Sequence, residues 1–279
     1  MQHWLQAPAG QYVLAWEQAQ LDAAVANAFG FHALQLGFPE LDGLRANRMA
    51  HRWLAVSQLS LQAGVSDRSD RIPEGILERM SERIPDVVTD FAALPFPANS
   101  LDLVILPHTL ERATDPHGVL REVARVLVPE GVAVLTGFNP VSLWGLREAR
   151  VPRRRWLPRA PSAEVMEFIG SLRLRDWLGL LSLEVRAEHF GCYRPMCSSM
   201  SWLRRLAWMD RAGERWWPIL GAVYCLVAVK RVRGMTLLQP GWKPAVSLVG
   251  ARAVSRNGVR AVQTAGREPC SQESQGMIR

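Results

Sequence analysis

The sequence is short of several things, and each shortage excludes something. No run of 18 uncharged apolar residues occurs, so no membrane-spanning helix is expected. The opening MQHWLQAPAGQYVLAWEQ has no basic start followed by an apolar core, so no secretory signal is expected and the cytoplasm is the expected compartment. Cysteine is scarce: Cys192, Cys197, Cys225 and Cys270 show no metal-ligand spacing, which predicts free thiols and no bound metal. Acid is in deficit, with 26 Asp and Glu against 33 Lys and Arg and a net charge of +7. That balance permits contact with nucleic acid or an anionic membrane surface. The deficit is concentrated in 147–159 and in 235–279. The second stretch is rich in Gly, Ser, Pro and Gln, and reads as a basic disordered tail behind a folded domain over 1–234.

What is present is organised around residues 84–139. Val87-Val88 is a short β-branched run, followed by a turn rich in Pro and Asn. Leu101 to Leu106 is nearly all apolar, as a strand covered on both faces should be. Asp115-Pro116 opens a helix, with Asp115 as its cap and Pro116 in its first turn. Val119, Leu120, Val123, Val126 and Leu127 recur at helical spacing. Pro129-Glu130-Gly131 stops the helix, and Val132 to Leu135 is the next strand. Strand, strand, helix, strand at this spacing predicts a parallel sheet with crossover helices.

On either side the pattern continues. Tyr12 to Ala28 reads as a helix ended by Gly30, and Phe31 to Leu36 as the first strand. Trp53 to Leu61 alternates as a second strand. Leu172 to Leu183 reads as a helix, with strands at 183–190 and 223–230 after it. Seven of the eleven tryptophans fall in 144–217: Trp144, Trp156, Trp177, Trp202, Trp208, Trp216 and Trp217. With the neighbouring arginines they predict an apolar, basic-rimmed cover, suited to choosing a substrate or to lying at a lipid interface. Packing at the edge of the core is the plainer alternative.

Four pieces of the organising segment carry a family likeness: Asp90 to Phe96, Asp102 to Glu111, Asp115-Pro116, and Leu120 to Gly131. Together they resemble the second half of a class I S-adenosylmethionine (SAM)-dependent methyltransferase domain of the small-molecule type 11. The resemblance implies an α/β fold, Rossmann-like and seven-stranded, mostly parallel with an antiparallel last strand and helices on both faces. It implies SAM as cofactor, Asp90 and Phe91 at the adenine, Gly37 and Phe38 under the methionine part, and His108 beside the transferred methyl group. His108 is the candidate base for an acceptor that must lose a proton.

The first loop departs from that pattern. Gln35 stands where an acid is usual, Pro39 at the second glycine and Leu41 at the third. Proline fixes φ and removes a donor, and a neutral amide supplies no charge for the ammonium group of SAM. The expected function is methyl transfer to a small or lipid-like acceptor. Two other readings stay open at this point: a catalytically inactive binding module, and an RNA-associated protein using its basic segments. Asn139-Pro140-Val141-Ser142 is not the tetrapeptide of base-flipping methylases.

Overall fold

A computed structural model describes residues 7–57, 85–150, 168–197 and 199–232. All lie in one unit, Met1–Gly234. The expected tail at 235–279 lies outside the described residues, as do Trp156 and the side chains of the arginine run from 147.

The sheet follows from alternation along strands that are buried on both faces. Its strands are β1 (His32–Leu36), β2 (His51–Val56), β3 (Val87–Val88), β4 (Leu101–Pro107), β5 (Leu127–Phe138), β6 (Leu183–Gly191) and β7 (Val223–Lys230). The order is β3-β2-β1-β4-β5-β7-β6. β7 runs antiparallel to both of its neighbours, while β1 to β5 pair in parallel. Leu34, Leu36, Val104, Leu106 and Leu135 face one side. There they meet the apolar stripe of a helix over Pro116–Val126 and Leu174 and Leu178 of another over Ser171–Leu180. Ala33, Leu103, Ile105 and Val134 face the other side, under Leu21 and Val25 of the N-terminal helix α1 (Pro8–Ala26). The seven-stranded, mostly parallel sheet with helices on both faces is the expected fold.

Local signals hold where their chemistry is specific. Asp115 accepts from Gly118 N at 2.9 Å and Pro116 occupies the first turn. Three expectations are corrected. Gly30 does not end α1, whose cap is Asn27. Gly30 lies at φ +155 against Asp102, where a Cβ would come within 2.3 Å of that side chain. Asp102 in turn accepts from the amides of Phe31 and His32, joining the start of β1 to β4. β2 starts at His51, two residues earlier than its alternation suggests, and the last four residues of the expected strand, 58–61, lie outside the described residues. β5 begins at Leu127, because Pro129-Glu130-Gly131 forms an irregularity inside the strand rather than a loop before it, with Glu130 at φ 66.

Candidate active site

The strand order reverses direction between β1 and β4. The connection from β1 leads to β2 on one side, and that from β4 leads to β5 on the other. In open α/β sheets the crevice outside the carboxyl ends of such strands is where ligands bind. Here Gly37 leaves β1, His108 and Thr109 leave β4, and Asp90 and Phe91 follow β3.

Gly37 lies at φ +72, and its N–H donates to Ala55 O at 2.7 Å. A Cβ built there would stand 3.5 Å from the Phe91 ring and 3.7 Å from Thr109 Oγ1. The bare face of Gly37 thus looks into a cradle walled by Phe91 and Thr109. Thr109 Oγ1 donates to Leu36 O at 2.5 Å and ties the end of β1 to the turn after β4. Asp90 is exposed and closes a turn by accepting from Ala92 N at 3.0 Å. Phe38 points the other way. It is buried at φ 51 with Leu41 and Leu44 on the α1 side of the sheet, its ring 5.6 Å from that of His108. The structure therefore pairs Gly37 with Phe91, and Phe38 with His108, on opposite faces.

Gln35 explains the altered loop. Buried at the end of β1, its Nε2 donates to Leu41 O at 2.7 Å and Phe38 O at 3.1 Å, and lies 3.3 Å from Gly37 O. Its Oε1 accepts from Gly43 N at 3.0 Å. Residues 37–50 carry no helix, and this one amide organises their first turns from within. A carboxylate cannot donate, so an acid here would set two oxygens against a ring of carbonyls.

Behind Thr109 lies a buried cluster that joins three segments. His108, left-handed at φ 49, sits between Glu17 of α1 and Glu111 of the helical turn α2 (Thr109–Arg112). Its Nε2 is 2.7 Å from Glu17 Oε1 and its Nδ1 is 2.8 Å from Glu111 Oε2. The Glu17 contact is at ion-pair distance but out of line for a good hydrogen bond, and neither Glu17 oxygen has such a bond among the described residues. Glu111 Oε1 accepts from the N–H of Phe138 at the end of β5. The Phe138 ring lies 4.4 Å from that of His108. None of the three charged groups is more than 2% exposed. Burial pulls the His108 pKa down, but the carboxylates of Glu17 and Glu111 outweigh it and push it up to about 10. Burial raises that of Glu111, against the pull of His108. Carboxylate oxygens at 2.7 and 2.8 Å thus engage both ring nitrogens of His108 and favour its protonated form. Burial, then the Glu17 carboxylate, pushes the Cys225 thiol up to about 12.

Glu17 was not singled out by sequence reasoning, and Thr109 and Glu111 were read only as part of the piece Asp102 to Glu111. One signal was available: Glu17 falls four residues from both Val13 and Leu21 on the apolar stripe of α1, where a carboxylate needs a buried partner.

The donor set suits SAM in part. A glycine cradle, an aromatic wall and a nearby carboxylate stand at the switch point, while the acid that usually meets the ammonium group is replaced by an amide whose polar atoms are spent within the loop. No helix among the described residues is long and apolar enough to cross a membrane.

Comparison with known proteins agrees. The sequence model of a family described as a methyltransferase domain matches residues 65–135. The chain is 31% identical over 238 residues to the uncharacterized protein YafS of Escherichia coli, covering 84% of this chain and 82% of that one. It is 38% identical over 80 residues to a malonyl-[acyl-carrier protein] O-methyltransferase of Halorhodospira halophila, a match spanning only 27% of that protein. Among solved structures it resembles a SAM-dependent methyltransferase, described as a possible histamine N-methyltransferase, from Thermotoga maritima. That likeness has a TM-score of 0.51 at 13% identity, covers 82% of this chain and 94% of the other, and speaks to the fold. The chain belongs to the class I SAM-dependent methyltransferases, with S-adenosylmethionine as its cofactor.

Proposed function

We propose that this methyltransferase acts on a small or lipid-like acceptor at the carboxyl ends of β1 and β4. The observation that carries the reading is the bare face of Gly37 opposite Phe91 and Thr109, at the point where the strand order reverses. SAM supplies an already activated methyl group, so the protein's task is alignment and exclusion of water more than covalent help. Gly37 lets the backbone approach the cofactor, Phe91 walls the adenine, and Asp90 accepts from the adenine's edge. Phe38 and Phe138 keep water from His108. The buried cluster holds two carboxylates against one imidazolium. Its net negative charge, behind Thr109, takes over the attraction for a cationic ligand that Gln35 cannot supply. His108 is here a positioning residue: it holds the turn after β4 and retains its proton on the ring. The lipid-like side of the acceptor rests on Val141, Leu143 and Ile219, exposed apolar groups beyond β5 and before β7 at the same end of the sheet.

Isothermal titration with SAM and S-adenosylhomocysteine tests this without knowing the acceptor. Both are expected to bind the wild type. Gly37→Val fills the cradle and is expected to abolish the heat. Phe91→Ala is expected to weaken binding about tenfold, and Asp90→Ala by about 1 kcal/mol or less, because its carboxylate is exposed and already closes a turn. No heat with the wild type at millimolar SAM sinks the assignment.

A further inference from the structure

The exposed aromatics before β7 do not pack the core. Trp202 is 55% exposed, Trp208 63%, Trp216 71% and Trp217 56%. By contrast Trp144 is buried, with its indole N–H donating to Arg194 O at 2.8 Å, and Trp177 packs against the core. The four exposed rings belong to two short helices, Met200–Arg205 and Trp208–Trp216, and to the residue before a 3-10 turn, Pro218–Leu220.

Their outward aim is forced from inside. Leu203 is buried, and the helix Met200–Arg205 packs beside α1. Asp210 takes Tyr12 Oη at 2.5 Å and Arg194 Nη2 at 2.7 Å. Gly213 rests on the Tyr193 ring, where a Cβ would approach within 2.2 Å. Positions 203, 210 and 213 therefore face the protein, which leaves Trp202, Trp208, Arg211 and Arg215 facing out. Among the exposed side chains of 200–220 there are four cations, Arg204, Arg205, Arg211 and Arg215, against the single acid Glu214. Arg205 lies 5.5 Å over the Trp202 ring, so that charge and aromatic surface are presented together. The face continues through Ile219 and Leu220. It reaches the site's end of the sheet, where Asn139 Nδ2 donates to Ile219 O at 2.6 Å and Val223 pairs with Phe138.

We propose that this face docks on the surface of an anionic phospholipid bilayer. Indole rings settle where apolar and wet surroundings meet, and arginines among them pair with lipid phosphates. A water-exposed face built of four indoles and an excess of three positive charges has the composition of an interfacial element. This goes beyond the methyl-transfer reading and stands whatever the acceptor is.

The experiment is co-sedimentation of the full chain with vesicles of phosphatidylcholine alone and with phosphatidylglycerol added, while tryptophan emission is followed. The expected result is binding to the anionic vesicles only, weakened by salt, with a blue shift. Trp202→Ser with Trp208→Ser and Trp216→Ser is expected to lower partitioning about tenfold or more. Arg204→Glu with Arg211→Glu is expected to do the same. These side chains are exposed, and an unchanged far-ultraviolet spectrum and unchanged SAM titration confirm that the variants fold. No binding to anionic vesicles overturns the proposal. So does binding with unshifted emission that the tryptophan variant retains, which would place the contact on other basic segments. A concentration-dependent dimer, or a single-stranded RNA complex, that the same tryptophan substitutions abolish would give the face to those partners instead.

Discussion

The loops leaving β1 and β4 meet at one end of the sheet and are held by opposite chemistry. After β1, a neutral amide gathers the turn: Gln35 donates inward to backbone carbonyls and accepts from Gly43. After β4, charges gather it: His108 is clasped by Glu17 and Glu111, and Glu111 reaches on to Phe138 N. Exposure is the same, close to nil, so burial did not select the chemistry. The available partners did. Backbone carbonyls call for a donor without charge, whereas a buried imidazolium calls for carboxylates.

The largest expected effect comes from removing the cation between two buried carboxylates. His108→Leu is expected to lose about 3–5 kcal/mol of stability in urea titration, because breaking a buried pair strands its partners. A loss near zero would show that the cluster is not a unit. On the other loop, Gln35→Glu introduces the acid that the family resemblance implies, yet is expected to lose about 1–3 kcal/mol by placing a carboxylate against carbonyl oxygens. That loss should shrink at low pH, where the protonated carboxyl can donate again; a gain in stability at neutral pH would break the comparison.

The pH profile of the wild type sharpens the comparison further and is the gentlest of these tests. The His108 pKa is raised from its ordinary 6.5 to about 10. The folded state therefore holds the proton more tightly than the unfolded chain does. The contribution is whole below about pH 6.5 and is lost as pH rises towards 10. Glu111, also raised, acts in the same sense. Stability should decline between pH 6.5 and 10, and the decline should flatten in His108→Leu. An unchanged slope in that variant would assign the decline to other groups.

Much of this was legible in the chain itself. Short, largely apolar runs placed β1, β4 and β7, and Asp115-Pro116 marked a helix start that the structure keeps. Legibility failed where the partner is distant in sequence. Gln35 read as a missing acid because its role lies in backbone atoms of a turn, which no residue type reports. The setting of His108 could not be read because Glu17 stands 91 positions earlier and the clasp exists only after folding. The tryptophans read alike, but only Leu203, Asp210 and Gly213, by turning inward, decide which of them face water.

The sequence by itself determined the alternation of strands and helices and the likeness to methyltransferases, because both rest on near-neighbour spacing and on short motifs. The tertiary structure decided the rest. It set the order of the strands and thus the place where β1 and β4 part. It brought Glu17 of the first helix to the imidazole at the end of β4. It also turned Phe38 inward while leaving the face of Gly37 bare. These depend on long-range pairing, in which a charge or a bare backbone acquires its meaning from whichever segment folding lays against it.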